Sequence, residues 1–158
     1  MKQSFEIIDN VYTEAVKGLI SDESILHDFD KWNTYYLDLP RKEQLTYSIC
    51  LLDWQVKNGG FHQYFFNSYG IFCFYTVENL REIKCDAHAD LLYQAISIIY
   101  DHKEQQQDFQ RRLFHRKVEA ISDFKEIIIE KFEPLEEEYY RIEESEEIHN
   151  KLGNYLIR

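Results

Sequence analysis

The chain has 158 residues, 44% hydrophobic and 30% charged, with only 5 Gly and 2 Pro, the mix of one compact globular domain and not of a repeat array, a linker or a disordered chain. Its 12 Tyr, 11 Phe and 2 Trp supply bulky core material. Against 29 Asp and Glu stand 18 Lys and Arg, a net charge of −11, which argues against direct binding of nucleic acid or anionic lipid through a large basic surface and favours a basic partner or simple solubility.

Apolar residues recur at three- and four-residue steps in nearly every segment, so the periodicity predicts an all-α fold of about seven to nine helices. Phe5, Ile8, Tyr12, Ala15 and Leu19 form the first stripe, with Gly18, Ser21, Asp22 and Ser24 as stop and fresh start signals. A short second helix is expected over residues 23–36. Pro40 sits where a first helical residue tolerates a missing N–H. Leu45, Ile49, Leu52 and Val56 then make a central stripe, widened by Tyr47, Leu51 and Trp54.

Asn58-Gly59-Gly60 ends that helix, because glycine takes the left-handed conformation that a helix end needs. A short aromatic helix from Phe61 to Tyr69, closed by Gly70, follows, then another over residues 72–84. Asp86 is the predicted cap of a helix bearing Leu92, Ala95, Ile96 and Ile99. Residues 105–132 read as one long helix or two. Pro134 marks a new start with Leu135, Tyr139 and Ile142 on one face, and a last helix runs from Glu146 to Leu156 with Ser145 as cap.

No charge-free apolar run approaches the roughly 18 residues of a membrane span, and the first ten residues carry Glu6 and Asp9 in place of an apolar signal core. A cytoplasmic location without membrane contact is expected. Cys50, Cys73 and Cys85 are an odd number without a C-x-x-C pair, which predicts free buried thiols.

Enzymatic motifs are missing. A di-iron bundle needs two Glu-x-x-His motifs, and only Glu146-x-x-His149 occurs. H-E-x-x-H, G-x-S-x-G and the phosphate-binding G-x-x-x-x-G-K-[ST] loop do not appear. Cys85 and His88 have the spacing of a thiol and base without a third orienting group. The stronger reading is a loop cysteine and an exposed histidine. The six histidines are scattered singly, and neither catalysis, a metal nor a cofactor is expected.

The most distinctive stretch is Asn58-Gly59-Gly60-Phe61-His62-Gln63-Tyr64-Phe65-Phe66-Asn67. It has the residues to line a pocket, but the stronger reading is structural: aromatics in the core, and Asn58, Gln63 and Asn67 satisfying open backbone groups at helix ends.

Acidity is concentrated near the carboxyl end. Glu130, Glu133, Glu136, Glu137, Glu138, Glu143, Glu144, Glu146 and Glu147 stand against Lys131 and Arg141, which makes these nine glutamates the candidate partner-binding residues. Glu136, Glu143 and Glu147 lie near one face of a helix that runs on, and a break near Ser145 interrupts that alignment. A solvated face is the competing reading; the functional one is an anionic surface whose carboxylates stand in for phosphates. Lys103, Arg111, Arg112, Arg116 and Lys117 form an opposing basic stretch, expected to pair with the acidic tail or to serve a homodimer contact.

The segment Asp53-Trp54-Gln55-Val56-Lys57 leading into Asn58-Gly59-Gly60-Phe61, then Gln63-Tyr64-Phe65, Asn67 and Gly70, carries a resemblance. With weaker echoes at Val77–Ile83, Leu91–Ile99, Phe132–Tyr140 and Leu152–Ile157, residues from about Leu37 to Arg158 resemble a bacterial helical family whose named member is a DNA mimic protein. Residues 1–36 precede that region as amino-terminal helices of the same domain. The resemblance implies an all-α fold, often dimeric, without known catalysis. It also implies an acidic surface that occupies the DNA-binding face of a transcription factor. The signature itself is aromatic and glycine-rich and speaks for the fold, and the basic stretch departs from a continuous acidic surface.

The expected function is therefore a non-enzymatic DNA mimic acting on a basic DNA-binding protein. Alternatives are an immunity or antitoxin protein against a basic toxin, or a helical domain binding a small molecule near the NGGF turn. Changing Glu136, Glu137, Glu143 and Glu144 to Gln is expected to weaken partner binding without unfolding the chain.

Overall fold

Leu45, Ile49, Leu52 and Val56 place an apolar side chain on one side of each successive turn, and all four are buried. They lie on the central helix of a computed structural model that describes residues 2–158. Among the described residues the chain forms nine α-helices and no strand: α1 (Lys2–Ser21), α2 (Phe29–Asp38), α3 (Arg41–Phe66), α4 (Cys73–Glu82), α5 (Asp86–Ile99), α6 (Gln106–Phe114), α7 (Glu119–Ser122), α8 (Glu126–Ser145) and α9 (Ile148–Ile157). Short 3₁₀ helices, Glu23–His27 and Tyr69–Phe72, link α1 to α2 and α3 to α4. The fold is all-α.

Helix α3 packs against α1, α4 and α8; α5 lies between α4 and α8, and α9 returns to lie on α1. Ala15 and Leu19 of α1, Leu92, Ala95 and Ile96 of α5 and Leu152 and Leu156 of α9 bury their apolar faces in one continuous core. Among the described residues no helix is long and apolar enough to cross a membrane. Cys50, Cys73 and Cys85 are free and buried. Burial pushes the Cys85 thiol up to about 12, which leaves it protonated and unfit as a nucleophile at neutral pH.

Several local expectations are corrected. The expected second helix divides: Asp22 caps the 3₁₀ helix through the Ser24 N–H at 3.1 Å, and Asp28 caps α2 through the Lys31 N–H at 3.0 Å. Trp54 is 42% exposed and meets Tyr12 edge-on instead of widening the core stripe. Gly70 does not close a helix; α3 stops at Phe66, and the left-handed residue beyond it is Ser68. Cys85, not Asp86, stands at the cap of α5. The 105–132 segment holds α6, α7 and the start of α8, separated by left-handed Arg116 and Phe124. Helix α9 begins at Ile148, so Ser145 ends α8 instead of capping α9.

Pro134 does not start a helix either. Helix α8 runs through it, although an interior proline costs roughly 3 kcal/mol by deleting a hydrogen bond and crowding the preceding turn. Phe132, Tyr139 and Ile142 are buried on the inner side of the same helix, while Pro134 faces solvent. Packing of that apolar face on either side of the proline overrides the local preference.

Candidate functional site

Helix α8 presents two sets of carboxylates. At 3.6 residues per turn, Glu126, Glu130, Glu133, Glu137 and Glu144 fall within a stripe about 60° wide and about 27 Å long. All five are exposed, and none belongs to an ion pair among the described residues. Glu130, Glu133, Glu137 and Glu144 were expected to bind a partner; Glu126 extends their row by one turn.

The remaining candidates have other neighbours. Glu138 is engaged by Arg141, Glu146 by Lys151 at 2.7 Å, and Glu147 accepts from Asn150 Nδ2 at 2.5 Å. Glu136 and Glu143 lie on the inner side of α8. The substitution set built on Glu136, Glu137, Glu143 and Glu144 therefore mixes two surface residues with two that hold the fold together.

Glu136 serves the double-glycine turn. Gly60, with φ 74° and ψ −175°, occupies a backbone region essentially closed to other residues; with non-helical Gly59 before it, α3 is two helical segments that meet at a kink, where the sequence places the end of one helix and the start of the next. The kink frees the Phe61 N–H, which donates to Glu136 Oε1 at 2.8 Å. A Cβ on Gly60 would stand 2.1 Å from that same oxygen, so the glycine provides both the turn and the approach. Burial raises the Glu136 carboxyl above its ordinary value, and the Phe61 N–H offsets only part of that rise.

The rest of the signature is structural, with one difference from expectation. Phe61, Tyr64, Phe65 and Gly70 are buried. Asn58, Gln63 and Asn67 do not reach backbone groups at helix ends. Asn58 donates to Gln63 at 3.1 Å, and both Gln63 and Asn67 donate to Gln55 Oε1 at 2.9 and 2.8 Å, a side-chain ladder that spans the kink beside Gly59.

Glu143 belongs to a buried cluster drawn from four helices. Asp53 of α3 is 1% exposed; its Oδ1 accepts from the Tyr139 hydroxyl at 2.8 Å and its Oδ2 from Lys57 Nζ at 2.8 Å. Lys57 Nζ also donates to Glu143 Oε2 at 2.8 Å. Glu143 Oε1 accepts from the Ile148 N–H at 2.9 Å, tying the start of α9 to α8. His149 Nδ1 is 3.6 Å from Asp53 Oδ2. His88 of α5 places Nε2 at 2.9 Å from Glu143 Oε1, with its ring turned so that neither nitrogen has a well-aligned hydrogen bond.

Burial alone would raise the Glu143 carboxyl. The His88 ring, Lys57 and the Ile148 N–H outweigh burial and hold it at about 2. Burial in turn opposes the Lys57 charge, but the two carboxylates raise its pKa overall. Next to them the Tyr139 hydroxyl is held well above its usual range, first by burial and then by the Asp53 charge.

His88 is fully buried, not exposed as its position beside Cys85 suggested. The sequence draws notice to His88 only beside Cys85 and to His149 only beside Glu146, because their actual partners, Glu143 and Asp53, lie on other helices. One readable signal was the i,i+4 spacing of Asp53 and Lys57.

The basic stretch does not pair with the acidic tail. Arg111 binds Asp30 through two contacts of 3.0 and 2.6 Å, and Arg112 binds Glu104 through two of 2.7 and 2.6 Å. Arg116 lies over the Phe66 ring, 4.6 Å from its centre. These arginines are engaged by residues outside α8, and the α8 stripe keeps its charge.

Fold and site together define an all-helical protein in which a kinked central helix and a buried ion-pair cluster fix one face of α8, leaving an uncompensated acidic stripe on the other. Residues 37–158 match the family model of the DMP19-like protein, and the chain belongs to that family. No curated protein and no solved structure matches the chain.

Proposed function

We propose that this protein is a non-enzymatic DNA mimic that occupies the basic surface of a DNA-binding protein. Membership of the DMP19-like family, a family of DNA mimics, supports the reading. The observation that carries it is the exposed row of Glu126, Glu130, Glu133, Glu137 and Glu144. Five charges along about 27 Å make a sparser array than the phosphates of one DNA strand, which advance 3.4 Å per charge. The row is nonetheless one-signed and carried on a single helix. Like charges on one helix repel, so the row weakens α8 in isolation, and a basic partner relieves that repulsion. The NGGF turn offers less support for a ligand reading, because Glu136 fills the space over Gly60.

The test is capture from nuclease-treated lysate of the native host on the immobilised protein, followed by elution with salt and, separately, with duplex DNA. Because exposed charge pairs are screened within about 8 Å at physiological ionic strength, the captured protein should be released steeply by salt. Duplex DNA should compete for the same basic face. Retention of a protein that ignores both eluants contradicts the proposal.

A further inference from the structure

We propose that the cavity beyond the end of α3 is a site for a small, flat heteroaromatic molecule carrying an acidic group, with Arg116 as the residue that takes the acid. The inference is independent of the acidic row and of the NGGF turn, where Glu136 fills the space over Gly60.

The cavity measures about 420 Å³, within the range of small-molecule sites. Its walls come from segments distant in sequence: Trp32 from α2, Asn67, Ser68 and Tyr69 from the connection between α3 and α4, and Phe114 and Arg116 from the end of α6 and just beyond it. The Trp32 ring stands edge-on to Tyr69 and to Phe114, with centres 6.0 and 6.3 Å away. Its Nε1 is spent on the Tyr47 hydroxyl at 3.1 Å, so this wall presents carbon. Tyr69 and Phe114 are only half-buried, which leaves part of each ring for a ligand. Aromatic walls pack flat unsaturated rings, stacked or edge-on. Asn67 Nδ2 donates to Gln55 Oε1 at 2.8 Å, which fixes the amide and leaves its Oδ1 as an acceptor for a ring N–H.

Charge selects the acidic group. The chain has 29 Asp and Glu against 18 Lys and Arg, yet no acidic residue lines this cavity, whereas the exposed His27 and Arg116 do. Arg116 is held over the Phe66 ring, 4.6 Å from its centre, and belongs to no ion pair among the described residues. A guanidinium placed on a ring face keeps its N–H edge open for a carboxylate or phosphate. A quaternary ammonium, the other ligand that aromatic walls attract, would meet this cation without a carboxylate to offset it.

The backbone is committed at the same place. Ser68 at φ 67° and Arg116 at φ 54° are two of the four left-handed residues other than glycine among the described residues, and both line this one cavity. Ser68 Oγ reaches the Phe114 carbonyl at 3.4 Å, joining the two walls. Such conformations are uncommon outside glycine and gather at ligand clamps and active sites.

The experiment titrates the full chain by calorimetry with UMP, AMP and orotate. Uridine lacks the acid, inorganic phosphate lacks the ring, and choline reverses the charge. In a Trp54→Phe background Trp32 is the remaining tryptophan, and its fluorescence reports where binding occurs. The expected result is saturable uptake of one acidic ring compound per chain with a change in Trp32 emission, and binding of the three controls at least about tenfold weaker. Preference for UMP and AMP assigns the acid as phosphate, and preference for orotate as carboxylate. Arg116→Gln should weaken binding at least about tenfold and erase the preference for acidic over uncharged rings. His27→Glu, also at an exposed position, should weaken it too, while glutamine substitution of the α8 row should leave it unchanged. Absence of saturable binding by all three acidic probes overturns the proposal. So does a control bound as tightly as the best acidic probe, or binding that ignores Arg116→Gln.

Discussion

The two sides of α8 use the same residue in opposite ways. On the inner side, Glu136 accepts the backbone N–H freed at the Gly60 kink, and Glu143 joins α3, α5 and α9 through Lys57, His88 and Ile148. On the outer side, Glu126, Glu130, Glu133, Glu137 and Glu144 are exposed and belong to no ion pair among the described residues. A carboxylate surrounded by donors builds structure, whereas one without partners contributes field. Composition cannot distinguish them, since both sides read as glutamate in an acidic segment.

This contrast can be broken from the inside first. Asp53→Asn removes the most buried charge of the cluster and leaves Lys57 and Tyr139 with a poorer partner. It should cost about 3 kcal/mol in urea denaturation, and a cost below about 1 kcal/mol would mean that the cluster is dispensable. Gly60→Ala follows, at about 2 kcal/mol, because alanine must adopt a forbidden conformation and push against Glu136. Pairing it with Glu136→Ala should recover part of the loss, and full additivity would show that the two residues do not meet.

Acid pH provides a third way in. The Glu143 carboxyl sits at about 2 in the folded chain against an ordinary value of 4.5. Its stabilisation is therefore complete above about pH 5 and is lost as pH falls from about 4.5 towards 2. Glu143→Gln should remove roughly 2 kcal/mol of the acid-dependent loss measured by denaturation at successive pH values. An unchanged profile would place the acid sensitivity elsewhere.

The smallest stability effect belongs to the outer row. Changing Glu130, Glu133, Glu137 and Glu144 together to Gln should alter stability by no more than about 0.5 kcal/mol per site, and upward if repulsion along the helix dominates. A large loss in thermal unfolding would show that these side chains have structural partners after all.

Much of the fold was legible in sequence because helical burial is periodic. The Leu45, Ile49, Leu52 and Val56 stripe, the glycine kink and the buried thiols all follow from local pattern. Local rules misplaced the boundaries where packing overrules them. Pro134 stays within α8 because Phe132 and Tyr139 anchor the helix on both sides, and Ser68 takes the left-handed position expected of Gly70.

The site was legible only in part. The outer glutamates could be read from their number, but separating them from Glu136 and Glu143 requires knowing which face α3 covers. The buried cluster left almost no signal. Asp53, His88, Glu143 and His149 come from α3, α5, α8 and α9, and only the tertiary fold brings them within reach. His88 looked like a surface histidine beside a loop cysteine because its surroundings are supplied by residues more than fifty positions away.

The central claim is that the outer row of α8 is the binding face, and the most direct measurement compares two baits side by side. Unmodified protein and the variant with Glu130, Glu133, Glu137 and Glu144 changed to Gln are immobilised equally and exposed to the same nuclease-treated host lysate. The account predicts that a basic DNA-binding protein is retained by the first, released by salt and by duplex DNA, and absent from the second. Equal retention of that protein by both baits would contradict it.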